Sequence, residues 1–219
     1  MKLPPWTTSR LDGFETCPRQ FHHVNVLRDV KQLPNEASLW GDRVHNALED
    51  HVRIGTALPV GMTQYQGIMN KIMAIPGTKT AEQQVALDKD FKRVDYAGPD
   101  AWTRGKIDLT IVNNYHAIVL DYKTGKRKLS QQLRLYAAYT FADQPQVETV
   151  STGFVWLKEK KIDKEIIHRD QVPVIWQTFL PRVRKLESAY ERDAWPARPS
   201  GLCRGWCPVT SCEFNGLKK

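Results

Sequence analysis

Apolar residues recur every third or fourth position in the first third of this chain and every second position through its middle. From Ser38 to Arg53, Trp40, Val44, Ala47, Leu48 and Val52 form one stripe, which predicts an amphipathic helix with His45 at its border. A second stripe of Tyr65, Ile68, Met69, Ile72 and Met73 predicts a helix over about 63–75, stopped by Pro76-Gly77. Upstream, Thr7 to Phe21 opens on Ser/Thr caps and spaces Leu11, Phe14 and Phe21 helically, with Cys17-Pro18 interrupting the pattern. Beyond residue 80 the period shortens. Ala81–Asp88 fits a strand, and Arg104–Gly125 reads as a hairpin. Leu129–Phe141 returns to helix, with Leu129, Leu133, Tyr136, Ala137 and Phe141 on its apolar side. Val147–Leu157 and Ile162–His168 read as strands joined by a charged turn, and Val172–Arg192 as a last helix kinked at Pro181.

The hairpin concentrates the candidate chemistry. Along its first arm Ile107, Leu109 and Ile111 oppose Asp108, Thr110 and Val112; along its second, Ile118, Leu120 and Tyr122 oppose Ala117, Val119, Asp121 and Lys123. Pairing Val112 with Ala117, across a loop of Asn113 to His116, sets Asp108 opposite Asp121 with Cβ atoms about 5 Å apart. Two carboxylates so placed repel unless a cation sits between them, and hard oxygen ligands suit Mg²⁺ or Mn²⁺. Lys123, on the same face, could then orient an attacking water or stabilise developing charge. The alternative is a solvated sheet face on which Lys123 pairs with one of the acids.

Composition narrows the partner. The 219 residues carry 32 Lys and Arg against 24 Asp and Glu, a formal charge of +8, which favours a polyanion, with nucleic acid foremost. No apolar run approaches a bilayer span and the N-terminus lacks a signal-peptide pattern, so the expected location is cytoplasmic, with no membrane partner. No G-x-x-x-x-G-K-[ST] element occurs, so any unwinding motor is expected on a separate polypeptide.

All four cysteines lie near the ends: Cys17, then Cys203, Cys207 and Cys212 in a C-x3-C-x4-C tail. Four thiols of this kind suit one metal centre, zinc or a [4Fe–4S] cluster, that clips the two ends together; spacing alone does not choose between them. Two disulfides or four unrelated thiols are the alternatives.

Taken together, Ser9-x-Leu11-x-x-Phe14-x-x-Cys17-Pro18, Gly41-x-x-x-His45, Gly105-x-x-Asp108, Asp121-x-Lys123, Gln132-x-x-x-Tyr136 and the cysteine tail resemble the RecB-like branch of the PD-(D/E)xK nucleases. Within it the pattern is similar to the iron–sulfur members, namely the CRISPR adaptation nuclease of the Cas-four type, the AddB nuclease domain and phage relatives. The resemblance implies His45, Asp108, Asp121 and the carbonyl of Tyr122 as metal ligands and Lys123 as the catalytic lysine. It further implies Gln132 and Tyr136 as support for that lysine and the substrate strand. Glu82 is a further candidate acid. The four cysteines become [4Fe–4S] ligands. Ile107 stands where the name motif has proline, and the tail departs from the usual C-x2-C-x5-C.

The expected fold class is therefore α/β, a restriction-endonuclease-like mixed sheet flanked by helices. One domain spans residues 1–219, with a helical part at about 9–76, a catalytic core at about 80–192 and a cysteine-rich segment at 196–219. The expected activity is metal-dependent hydrolysis of DNA, on single strands or ends. Lys126, Arg127 and Lys128 are expected to follow the phosphate backbone; Trp6, Trp40, Trp102 or Trp206 could stack on unpaired bases, with packing the expected role of most. Two rival readings are an adaptor that binds DNA ends within a recombination or CRISPR adaptation complex, and a zinc-stapled nucleic-acid binder.

Overall fold

The computed structural model describes residues 3–216. In chain order its elements are helices α1 (Thr8–Thr16), α2 (Pro18–Phe21), α3 (Glu36–Ile54) and α4 (Gln66–Met73), then strands β1 (Thr78–Leu87), β2 (Arg93–Val94), β3 (Thr103–Asn113) and β4 (His116–Lys123). Helix α5 (Gln132–Asp143), strands β5 (Thr149–Trp156) and β6 (Lys161–His168) and helix α6 (Val172–Glu191) complete the set. The chain divides into two compact units, one of Asn35–Trp176 and one made of the residues on either side.

The unit Asn35–Trp176 holds a six-stranded sheet in the order β2-β1-β3-β4-β5-β6. β4 and β5 are parallel, and all other neighbours are antiparallel. The β3–β4 hairpin takes the register expected from its pattern, Val112 opposite Ala117, but the ladder closes one pair further, at Asn113 and His116. Its turn is Asn114-Tyr115, with Asn114 at φ 53°, a left-handed position that asparagine tolerates better than most residues. Leu109, Ile111, Leu120, Tyr122, Val155 and Leu157 from the sheet share one buried cluster with Val44 and Leu48 of α3 and Met69 and Ile72 of α4. The helical stripes therefore cover one side of the sheet. Asn35 caps α3, its side chain accepting from the Ser38 amide, and Gly55 ends it at φ 72°.

Two boundaries move from their expected places. The helix expected from Leu129 begins at Gln132, and Leu129 is wholly exposed. Three successive cations precede it and stay in solvent, and Ser130 Oγ accepts from the Gln132 amide, so the first turn forms only there. The stripe at 63–75 begins as a 3₁₀ turn, Thr63–Tyr65, before α4 takes over.

The other unit contains α1, α2, a π-helical turn His22–Leu27, and α6 from Gln177 onward. α6 runs through Pro181 without interruption. Arg182 clasps α1, donating to Asp12 and to both carboxylate oxygens of Glu15 at 2.7–2.8 Å. Trp195 gathers Phe14, Phe21, His22 and Tyr190 around its ring, His22 lying nearly parallel at 4.6 Å. Residues 217–219 of the expected cysteine-rich segment lie outside the described residues.

Candidate active site

The site forms where two neighbouring strands part. β1 pairs with β3 as far as Leu87 opposite Thr103, and β4 pairs with β5 as far as Lys123 opposite Trp156. Between them the β3–β4 ladder stops at Leu109 opposite Leu120. The next residues along are Asp108 and Asp121. In place of a ladder bond, Asp108 Oδ2 accepts from the Tyr122 amide at 2.6 Å. A strand divergence thus exposes backbone donors, and a carboxylate satisfies one of them.

A second irregularity sits across from Asp108. Pairing of β1 with β3 skips Glu82 and Asp108, and Glu82 adopts φ 53° within a strand. A non-glycine residue held there costs about 1–3 kcal/mol unless its surroundings compensate. Near the same place β3 exchanges neighbours: Thr103 bonds Tyr139 of α5, whereas Leu109 and Ile111 belong to the cluster with α3 and α4. Gly105 permits the close approach, because a Cβ there would stand 2.5 Å from the Tyr139 ring and 3.0 Å from that of Tyr136.

These irregularities, together with α3, bring His45, Glu82 and Asp108 into one group whose ligand atoms lie within 4.8 Å of one another. His45 Nδ1 is 3.3 Å from Asp108 Oδ1. Burial lowers the His45 pKa, but the hydrogen bond and charge of Asp108, with Asp121 and Glu82 adding, outweigh it and leave the ring above its ordinary value.

Asp121 is almost fully buried, 2% exposed, and its Oδ2 lies 2.5 Å from Lys123 Nζ. That contact is an ion pair without hydrogen-bond alignment, and the same oxygen has no other hydrogen-bond partner. Desolvation, reinforced by the charge of Asp108, pushes the carboxyl up to about 7 against the opposing pull of Lys123. Lys123 Nζ donates to Gln132 Oε1 at 3.1 Å, and Gln132 Nε2 donates to the Tyr136 hydroxyl at 2.7 Å. Lys123 also sits 5.4 Å from the centre of the Phe154 ring. Asp121, Lys123, Gln132 and Tyr136 therefore form one chain of polar contacts from β4 to α5.

The expected ligands were His45, Asp108, Asp121 and the Tyr122 carbonyl, with Glu82 as a further candidate acid. The structure places Glu82 rather than Asp121 within the tight group, and gives Asp121 to the lysine. Reasoning from sequence left out one contact, that between Lys106 and Glu82, which form an ion pair on the other side of Asp108. Alternation within each strand could not have found it, because it depends on the register in which β1 pairs with β3.

A divalent cation fits these residues. The donors are hard oxygens and an imidazole, and Asp121 Oδ2 is buried without an aligned donor.

The flanking candidates separate. Arg127 is held by Asp163, at 2.5 and 3.1 Å. Lys126 and Lys128 have no ion-pair partner among the described residues. Trp6 is buried against Phe179, so it cannot stack on a base. Trp102 packs against Phe91, and the Arg43 guanidinium lies over the half-buried Trp40. Trp206 is 67% exposed.

In the other unit, Cys17, Cys203, Cys207 and Cys212 are all free thiols and line one cavity, with Arg19, Arg198 and Asn215 among their neighbours. The amides of Arg198 and Ser200 point at Cys17 and Cys203 sulfurs at 3.5 Å, and Arg19 Nη1 lies 3.9 Å from Cys212 Sγ. Burial raises the Cys207 pKa, and the other three thiols raise it further. Among the described residues no three cysteine sulfurs lie within 4.8 Å of one another.

Comparison with known proteins places this geometry. No curated protein sequence matches the chain. Among solved structures, a candidate exonuclease from Eubacterium rectale has a TM-score of 0.55 at 12% identity, over 98% of this chain and 89% of that one. The crystal structure of SSO0001 has a TM-score of 0.50 at 15% identity, over 100% of this chain and 90% of that one. At such identities the likeness is one of fold. A family profile carries the sequence-level statement: it matches residues 73–212, which include Glu82, both hairpin acids, Lys123, Gln132, Tyr136 and the cysteine tail. With a mixed sheet of restriction-endonuclease-like form and an acid–lysine site at its parting strands, the chain belongs to the PD-(D/E)XK nuclease superfamily.

Proposed function

We propose that this protein is a DNA nuclease of the RecB-like branch that hydrolyses phosphodiester bonds with Mg²⁺ or Mn²⁺, acting as an exonuclease on single strands or ends. The observation that carries this reading is the convergence of His45, Glu82 and Asp108 beside the Asp121–Lys123 pair where β3 and β4 separate. His45, Glu82, Asp108 and Asp121, with the Tyr122 carbonyl, would hold the ion. A bound divalent ion activates water at neutral pH and offsets phosphate charge.

The chain's own residues supply the rest. Lys123 carries its ammonium between Asp121 and Gln132, where it can hold the attacking water and donate to the oxygen that gains charge. Gln132 and Tyr136 keep that ammonium aimed. Lys126 and Lys128 follow three and five residues after Lys123 and can grip the backbone of the strand being cut.

The thiol site supports a structural [4Fe–4S] cluster over zinc. Four thiols lining one cavity, in an order along the chain that resembles the iron–sulfur members, support that assignment. Backbone amides aimed at two of the sulfurs suit thiolates that carry charge. A protein isolated without air would then be brown; a colourless protein containing zinc would overturn that assignment. A helicase, recombination or CRISPR adaptation protein is the class of partner this reading implies.

End-labelled single- and double-stranded DNA incubated with Mg²⁺, Mn²⁺ or chelator tests the activity. Cutting that needs the ion and vanishes in Asp121→Asn, with DNA binding retained, is the expected result. DNA binding without cutting under any divalent ion would instead identify an adaptor of DNA ends.

A further inference from the structure

Two lysines flank Asp108, each paired with a different carboxylate. Lys123 belongs to Asp121, and Lys106 belongs to Glu82. Only the first is accounted for by the proposed chemistry. Lys106 lies on β3 two residues before Asp108, its side chain half exposed, while Glu82 beneath it is mostly buried. Glu82 stands in an unfavourable place: its backbone is left-handed within a strand, and its carboxylate shares a 4.8 Å group with Asp108 and His45. Something must hold it there when no ion is bound. Lys106 makes the contact that does so, and Glu49 and Asp108 add to the negative field it feels.

We propose that Lys106 is a placeholder cation: in the metal-free protein it neutralises Glu82 and keeps it among His45 and Asp108, and a divalent ion entering that group displaces it. This rests on the proposed metal site. The partly exposed side chain gives Lys106 a way out to solvent once its role is taken over, which a buried lysine would lack. Because Lys106 stabilises the empty site and repels an arriving cation, its effects on folding and on metal binding have opposite signs and are thermodynamically linked. Lys106 is thus a positioning residue, acting through Glu82.

The test is Lys106→Met, with Lys106→Arg as the conservative variant and Lys126→Met as a surface control. Each is measured by thermal unfolding in chelator and by calorimetric titration with Mn²⁺. Lys106→Met is expected to melt lower than the parent in chelator, to match it in saturating Mn²⁺, and to bind Mn²⁺ about fivefold more tightly. Lys106→Arg should behave as the parent does, and Lys126→Met should change neither quantity. An unchanged or weaker Mn²⁺ affinity in Lys106→Met overturns the proposal. Should that variant fail to fold without metal, Glu82→Gln and Glu82→Gln/Lys106→Met decide, since removing Lys106 must change Mn²⁺ affinity far less once Glu82 is neutral, with only Glu49 and Asp108 left to act on it. Failure of the metal-site reading itself looks different: the parent and Asp108→Asn would then both bind no Mn²⁺.

Discussion

The carboxylate site and the thiol site are built on opposite plans. Asp108, Glu82 and Asp121 hang from strands, and their separations follow from ladder spacing and from where two ladders part. The cysteines hang from a helix junction and from irregular chain after Trp195, with a single short 3₁₀ turn at Gly201–Arg204 among them. A site on ladders is ordered before any ion arrives, at the expense of burying and crowding like charges, and Asp121 registers the burial first and the charge of Asp108 second in its raised pKa. A site on loops has little to hold it except what its ligands bind. The first plan suits chemistry, which needs positions fixed to fractions of an ångström; the second suits a clasp, whose bound group supplies order.

Substitutions that separate chemistry from clasp sharpen the contrast most. Asp121→Asn or Lys123→Ala should lower the cutting rate about 10³-fold, measured on end-labelled DNA, with iron content unaltered. Cys207→Ser should do the reverse, losing the visible colour and about 3 kcal/mol of stability in chemical denaturation, while Mn²⁺ binding at His45 and Asp108 persists in the fraction that stays folded. A Cβ at Gly105 would push into Tyr139 and Tyr136, so Gly105→Ala should cost about 2 kcal/mol and leave the colour intact. Gln132→Ala removes the amide that aims Lys123 and should slow kcat about tenfold with KM little changed, in single-turnover assays.

The smallest effect concerns pH. With its folded pKa at about 7, above the unfolded carboxyl near 4, Asp121 keeps its proton in the native state where the unfolded chain has lost it. Its contribution is complete below about pH 4 and is lost as pH rises through about 7. Metal-free protein should therefore lose stability from this group across that window, read as a falling Tm. Asp121→Asn should flatten the slope, as should saturating Mn²⁺. Equal slopes in parent and variant would show that the carboxylate site is not crowded and remove the contrast with the thiols.

How far the site could be read beforehand differs residue by residue. The register that puts Asp108 near Asp121 followed from alternation and the Asn113-Asn114 pair, because a one-residue slip would carry Leu109, Ile111 and Leu120 to the opposite face of the sheet. Gln132 and Tyr136 were expected only from the family resemblance, and the helix forms with both on the lysine's side. Leu129 was misplaced because periodicity does not weigh the cost of desolvating three neighbouring cations. Which of the four tryptophans packs could not be read, because nothing local distinguishes an exposed tryptophan from a buried one; Trp6 is buried and Trp206 exposed.

Pattern and composition by themselves determined the alternation of helix and strand, the hairpin and the basic charge, and they put Asp108, Asp121 and Lys123 forward as candidates; the family resemblance added His45, Gln132 and Tyr136. Those properties are local or additive, so they survive without coordinates. Folding alone decided that β3 and β4 part at Asp108, that Glu82 turns back at φ 53° to join His45, and that Lys106 stands over it. Each of these depends on which ladder outcompetes another for the same backbone groups, and that balance belongs to the whole sheet.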